Sequence, residues 1–308
     1  MSFRDRLLAL TIVMVWGVNF VVIKVGLQGM PPLLLAGLRF ALVVFPAILF
    51  IPRPKLPLKW LCAYGLTISF GQFALLFWAL NVGLAAGLAS LLLQAQAFIT
   101  LLFGVLLLKE RVRMHNVIAV SIAGIGIYLL AAAQEQGSAS VTLFTLVLIL
   151  GAATCWALGN ITNKVIMQRY AVPTMSLIVW SALVPTVAFF IASFVVEGQS
   201  QIVDSLVHIE WHNVLSIVYL SLLATIVGYG GWSNLLSRYP TAMVAPLSLL
   251  VPVFGLLSAW VLLDENLSVF QILGVVVIAL GLVINVFGQS LFSRKVTNEE
   301  ALAVKNSD

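Results

Sequence analysis

The apolar positions of this chain fall in ten runs of about 20 residues, separated by short polar connections. At a helical rise of about 1.5 Å per residue, each run matches the hydrocarbon core of a bilayer. The runs predict membrane helices over roughly 7–27, 32–51, 59–80, 85–108, 115–133, 143–165, 174–196, 213–236, 241–263 and 267–289. Short connections make sequential helices antiparallel neighbours. The first run is long enough to span, which predicts a retained helix rather than a cleaved signal. Residues 290–308 are polar and mixed in charge, and predict a disordered cytoplasmic tail.

The polar positions inside the runs recur. Trp16, Phe20 and Lys24 stand at i, i+4, i+8, and so do Trp156, Asn160 and Lys164 in the second half of the chain. Leu108-Lys109-Glu110 is answered by Leu263-Asp264-Glu265, and Pro46 by Pro185. The offset is wider for Leu108 and Leu263 than for Trp16 and Trp156, because the second copy holds the longer connection 197–212. Five crossings per copy is an odd number, so the second copy enters from the opposite side. The expectation is an all-α polytopic membrane protein of two inverted five-helix repeats, 1–140 and 141–289, followed by the tail 290–308. Inverted repeats are a transporter architecture with the site where the copies meet.

Orientation follows from the cations. Arg4, Arg6, Arg53, Lys55, Lys59, Lys109, Arg111, Arg113, Arg169, Arg238, Arg294, Lys295 and Lys305 all fall on one side of this topology. The alternate connections, near 28–31, 81–84, 134–140, 197–212 and 264–266, hold no Lys or Arg. The positive-inside rule puts both termini in the cytoplasm.

Composition narrows the class. Apolar residues are 62% of the chain and charged residues 9%, with a mean hydropathy of +1.11. No soluble domain of 308 residues hides that much apolar surface. The net charge of +5 is explained by cytoplasmic loops and needs no nucleic-acid partner. Cys62 and Cys155 lack metal or redox spacing and read as buried thiols. No cofactor and no metal site is expected, although His208 and His212 stand at i, i+4. Ile202, Leu206 and Ile209 beside them suit a short helix on the membrane surface.

WGVNFVVIK, PPLLLAGLRF and LLKER resemble the EamA-type exporters of the drug/metabolite transporter superfamily, end to end from Phe3 to about Phe287. Within that family VVIKVGL, LAGLRF, YGLTISF, GLASL, LQAQAF, ATIVGYG, VAPLSLLVPV and INVFG are most similar to bacterial O-acetylserine and cysteine exporters. The resemblance implies a ten-helix inner-membrane exporter of small amino-acid metabolites.

Several residues could carry transport. Arg39 is an ionisable group in an apolar run, which is costly and a functional candidate by default. Its fork suits a substrate carboxylate; the alternative is that it ties helices together. Lys24 either snorkels to the interface or joins Trp16 and Asn19 on a face suited to a zwitterion. Ser90 and Gln94 form an i, i+4 pair, with Gln96 turned away from Gln94. Asn160 and Asn163 follow on the sixth helix; any of these amides could equally bond between helices. Trp16 and Trp156 lie deep enough to stack on a substrate, and Lys164 reads as an interfacial anchor. Gly228, Gly230, Gly231, Pro246 and Pro252 are candidate gating bends. Gly274, Gly281 and Gly288 recur every seven residues as a packing seam, within one chain or across a dimer, with a monomer favoured.

These features point to a secondary exporter of small zwitterionic or anionic metabolites. Cations without acids in the membrane disfavour cationic drugs, in contrast to small multidrug antiporters, and remove the usual proton relay. That leaves uncoupled exchange or protons carried on the substrate. A membrane enzyme would need a nucleophile with a base, and His115, His208 and His212 all lie at loops or span ends. A sugar or nucleotide-sugar transporter on the same architecture is the alternative.

Overall fold

The computed structural model describes residues 1–109, 114–132, 141–239 and 241–305, with backbone alone at 241, 242, 245 and 288–305. Glu110, Arg111, Arg113 and the connection 134–140 lie outside the described residues, as do the side chains of Arg294, Lys295 and Lys305. Among the described residues, ten helical segments are long and apolar enough to cross a bilayer. Spans 1 to 5 are Phe3–Gly26, Pro32–Leu49, Leu58–Asn81, Ala86–Leu108 and Met114–Ala132. Spans 6 to 10 are Leu143–Arg169, Thr174–Val196, Trp211–Arg238, Pro246–Leu263 and Val269–Phe287.

Elements recur at the offsets the sequence suggests. Span 6 starts at Leu143 and span 1 at Phe3, the same separation as between Trp156 and Trp16. The main helix of span 9, Leu250–Leu263, and that of span 4, Ala95–Leu108, are offset equally at both ends, by the separation between Leu263 and Leu108. Both end on a left-handed residue, Lys109 at φ 55° and Asp264 at φ 53°. Spans 3 and 8 are each interrupted by a wide π-helical stretch, Gly65–Gly71 and Tyr219–Val227. Such stretches free carbonyls from the α-helical ladder and concentrate at functional positions.

Packing between helices relies on small residues that let backbones approach. A Cβ on Gly17 would lie 2.8 Å from the carbonyl oxygen of Val251, so spans 1 and 9 touch backbone to backbone there. Spans 5 and 10 form a separate seam. Gly126 faces the backbone of Gly274 and Ile278, and Gly281 faces that of Ala119 and Ala123. Asn116 donates to Asn285 across it at 3.0 Å. The glycine repeat of span 10 therefore serves contact within one chain at Gly274 and Gly281; the surroundings of Gly288 lie outside the described side chains.

Three expectations change. Residues 290–305, expected to be disordered, continue span 10 as helix to Lys305. The stretch has no Gly or Pro after Gly288 and contains Ala, Leu, Glu and Lys, which favour helix. Gly228, Gly230 and Gly231, expected as a bend, sit in the regular helix Gly228–Arg238, and the irregular part of span 8 is the π stretch just before it. In span 9 the irregular turn is the 3-10 segment Ala245–Leu249, which contains Pro246. Pro252 instead lies in the first turn of Leu250–Leu263, where proline is tolerated because its missing N–H has no partner to lose. The short helix anticipated in the long connection is present at Gln199–Val207.

The two ends of the bundle are tied by polar contacts. On the face that carries the N terminus, Asp5 accepts from Arg238 at 2.6 Å and from the Tyr239 hydroxyl at 2.6 Å, joining the start of span 1 to the end of span 8. On the opposite face Glu197 accepts from the backbone N–H groups of Leu33 and Leu34 at 2.7 and 3.1 Å, capping span 2. Asn213 there donates to the carbonyls of Gly26 and Gln28 at 3.0 and 2.9 Å.

Candidate functional site

Arg39 is the eighth residue of span 2 and is only 2% exposed. Its Nη2 donates to the Thr225 hydroxyl at 3.1 Å. Among the described residues, Nε and Nη1 have no hydrogen-bond partner. With one bond from Nη2, four of the five guanidinium N–H groups make no hydrogen bond among the described residues. The plane rests on aromatic rings, with Cζ 4.0 Å from the Phe73 centroid and 5.3 Å from that of Phe40. Burying a charge this way is costly unless something else meets it.

Arg39 also lines a cavity of about 40 Å³, room for two or three waters. Tyr64 and Ser69 of span 3, Ser181 of span 7, and Thr225 and Tyr229 of span 8 supply its hydroxyls. Phe40, Val43, Ile68 and Phe73 supply its apolar wall. Among the described residues this lining holds one cation and no acid.

The π stretch of span 8 builds one wall. Thr225 donates to the carbonyl of Leu220, five residues back, at 2.8 Å. Ser221 donates to the carbonyl of Arg39 itself at 2.8 Å. The carbonyl of Ala224 accepts from Trp16 Nε1 at 2.9 Å. Ser69 lies in the π stretch of span 3 on the same cavity. Two wide turns at matching places in the halves thus converge on Arg39.

Of the residues singled out from sequence, Arg39 lines the cavity and Trp16 stands behind it. The Trp16 ring packs on Tyr229 at 5.3 Å and on Trp232 at 5.2 Å. Gly228 leaves space for that indole: a Cβ would lie 2.6 Å from Nε1. Trp16→Phe removes the bond to Ala224 and is expected to cost about 1 kcal/mol, read as a lower unfolding temperature in detergent. An unchanged unfolding temperature would show that the bond contributes nothing.

The others lie elsewhere. Lys24 neither snorkels free nor faces the cavity; its Nζ pairs with Glu265 at 2.7 Å. Asn19 is buried with Oδ1 unpartnered among the described residues. Ser90 donates to the carbonyl of Gly87 at 2.6 Å and packs against Gly255, so it fills a helix crossing. Gln94 is buried at the break of span 4, between the helices Ala86–Leu92 and Ala95–Leu108. Trp156 packs against the main core. Asn160 donates to Gln96 at 2.8 Å and to Thr100 at 3.2 Å, bonding span 6 to span 4.

Sequence reading missed Tyr64, Ser69, Ser181 and Thr225 as lining residues. The signal for Tyr64, Ser69 and Thr225 was present as hydroxyls within YGLTISF and ATIVGYG, and that for Ser181 as a lone hydroxyl in IVWSALV, in runs otherwise apolar. His208 and His212 turn to different acids, Asp204 at 3.1 Å and Glu210 at 3.4 Å.

Comparison with known proteins agrees with this architecture. A chain from Escherichia coli strain K12, named a probable amino-acid metabolite efflux pump, is 54% identical over 94% of this chain and 96% of its own length. One of the same name from Salmonella typhimurium is 55% identical with the same coverage. A crystal structure at 19% identity superposes with a TM-score of 0.64 over 96% of this chain and 99% of the other, which shows the fold. The sequence profile of the EamA-like transporter family matches residues 6–132 and again 143–287. The chain therefore belongs to the EamA-like transporter family.

Proposed function

We propose that this transporter exports small zwitterionic or anionic amino-acid metabolites, O-acetylserine and cysteine among them, by alternating access through the Arg39 cavity. The observation that carries the reading is the buried guanidinium, two of whose nitrogens lack a partner among the described residues, in the wall of a cavity whose described lining holds no acid. A substrate carboxylate would complete those bonds with a charge-assisted pair. Relatives named as amino-acid metabolite efflux pumps support the substrate class. We read residues 1–140 and 141–289 as inverted five-helix repeats, supported by the recurring elements and the twofold profile match. Orientation follows the cations, with both termini in the cytoplasm of a bacterium and the helices in its inner membrane. The protein is a transporter and not an enzyme, and the monomer is the transporting unit in this reading.

The cavity is narrow in this conformation, so it must widen to take an amino acid. A nucleotide sugar would demand far more, which ranks the sugar reading below. Among the described residues the acids sit at span ends and connections, so transport runs without a fixed proton relay. The test is flux of labelled O-acetylserine and cysteine in proteoliposomes, with and without a pH gradient. Downhill flux without protons is expected. Absence of flux for both solutes would remove the substrate assignment, and accumulation driven by a pH gradient would remove the uncoupled mechanism.

A further inference from the structure

We infer that the Arg39 cavity reads the carboxylate of its substrate and not the amine, so that small 2-hydroxy monocarboxylates are also carried. The inference rests on the function proposed above and narrows what its site recognises. The argument starts from charge. A zwitterion brings one negative and one positive group into a site removed from water. Its carboxylate can meet the guanidinium of Arg39, whose Nε and Nη1 have no hydrogen-bond partner among the described residues. Its ammonium finds no opposite charge, because the lining among the described residues holds no acid.

What remains for the amine is neutral. The hydroxyls of Tyr64, Ser69 and Tyr229 can accept from an ammonium or donate to a hydroxyl, since each is both donor and acceptor. They therefore do not distinguish an amino from a hydroxy substituent by hydrogen bonding. The Phe73 face, which could attract an ammonium, is already covered by the Arg39 guanidinium at 4.0 Å. Moreover Arg39 itself repels a second cation held close by, and that repulsion is strong where water is excluded. Exchanging the ammonium for a hydroxyl removes this repulsion and the cost of desolvating a charge. It loses no ion pair.

Serine and glycerate make a matched pair, differing only in the amino or hydroxyl group on C2, and serinamide keeps the amine while losing the carboxylate. Wild-type proteoliposomes are loaded with each in turn, and counterflow of labelled O-acetylserine is measured. Using substrates instead of variants avoids any effect on folding. Glycerate is expected to drive counterflow within fivefold of serine, and serinamide at least tenfold less. Glycerate falling more than fivefold below serine would overturn the inference and leave the exporter reading intact. If neither O-acetylserine nor cysteine moves, the exporter reading fails, and direct uptake of labelled glycerate decides the inference separately. Uptake supports it, and no uptake ends it.

Discussion

Arg39→Gln is expected to lower carboxylate transport by about 30- to 1,000-fold, corresponding to about 2–4 kcal/mol for losing one partner of a buried charge pair. The same change should leave the unfolding temperature unchanged or raised. The second half of the prediction separates the two roles open from sequence. A guanidinium that ties helices together would have its donors used, and its removal would destabilise the bundle. Here, among the described residues, only Nη2 has a partner, Thr225, while Nε and Nη1 are buried without one. Glutamine removes more unsatisfied polarity than it removes bonding. Arg39→Lys keeps the charge but loses the fork and the flat contact with Phe73, and should recover a small part of the flux. Flux in proteoliposomes and thermal unfolding in detergent measure both quantities. A variant that unfolds early and transports poorly would return Arg39 to a structural role.

The spans were legible because bilayer thickness sets the length of an apolar run, and span 7 was read at its observed ends, Thr174–Val196. Arg39 was legible for a related reason: a charge in an apolar run stands out against its neighbours. Its partners were not. Thr225 lies 186 residues away, and the π stretch that delivers it depends on a hydrogen-bond register that hydropathy does not record. Gly228, Gly230 and Gly231 drew attention to the correct region of span 8 by composition. Gly228 and Gly231 turned out to give close approach to Trp16 and Ile12, with the irregular turn beginning nine residues before Gly228 at Tyr219. The amides behaved similarly. Asn160 was visible, but its partner Gln96 could be found only once spans 4 and 6 were side by side. Lys24 is the plainest case, since its two sequence readings shared the premise that it lacked a fixed partner. Glu265, 241 residues on, had been visible only as half of a repeated tripeptide.

That carboxylate is where the second large effect is expected. Glu265 Oε1 accepts from Lys24 Nζ at 2.7 Å and from the Ala86 N–H at 2.9 Å, while Oε2 accepts from the Gly87 N–H at 3.0 Å. One group thereby caps the start of span 4 and neutralises the last turn of span 1 from the connection before span 10. The Glu265 side chain is 10% exposed and that of Lys24 32% exposed, so the pair is better shielded than a surface ion pair. Glu265→Ala leaves two backbone donors and an ammonium without their acceptor. Its cost should be about 2–4 kcal/mol, near the range for breaking a buried pair. Lys24→Met leaves the cap in place and should cost about 1 kcal/mol, as a partly exposed pair does. The double variant should then be little worse than Glu265→Ala alone, because Lys24 has nothing left to lose. Unfolding of all three in detergent tests this ordering. Equal costs for the two single changes, adding fully in the double, would mean that Lys24 and Glu265 act separately and that the cap is not what the carboxylate contributes.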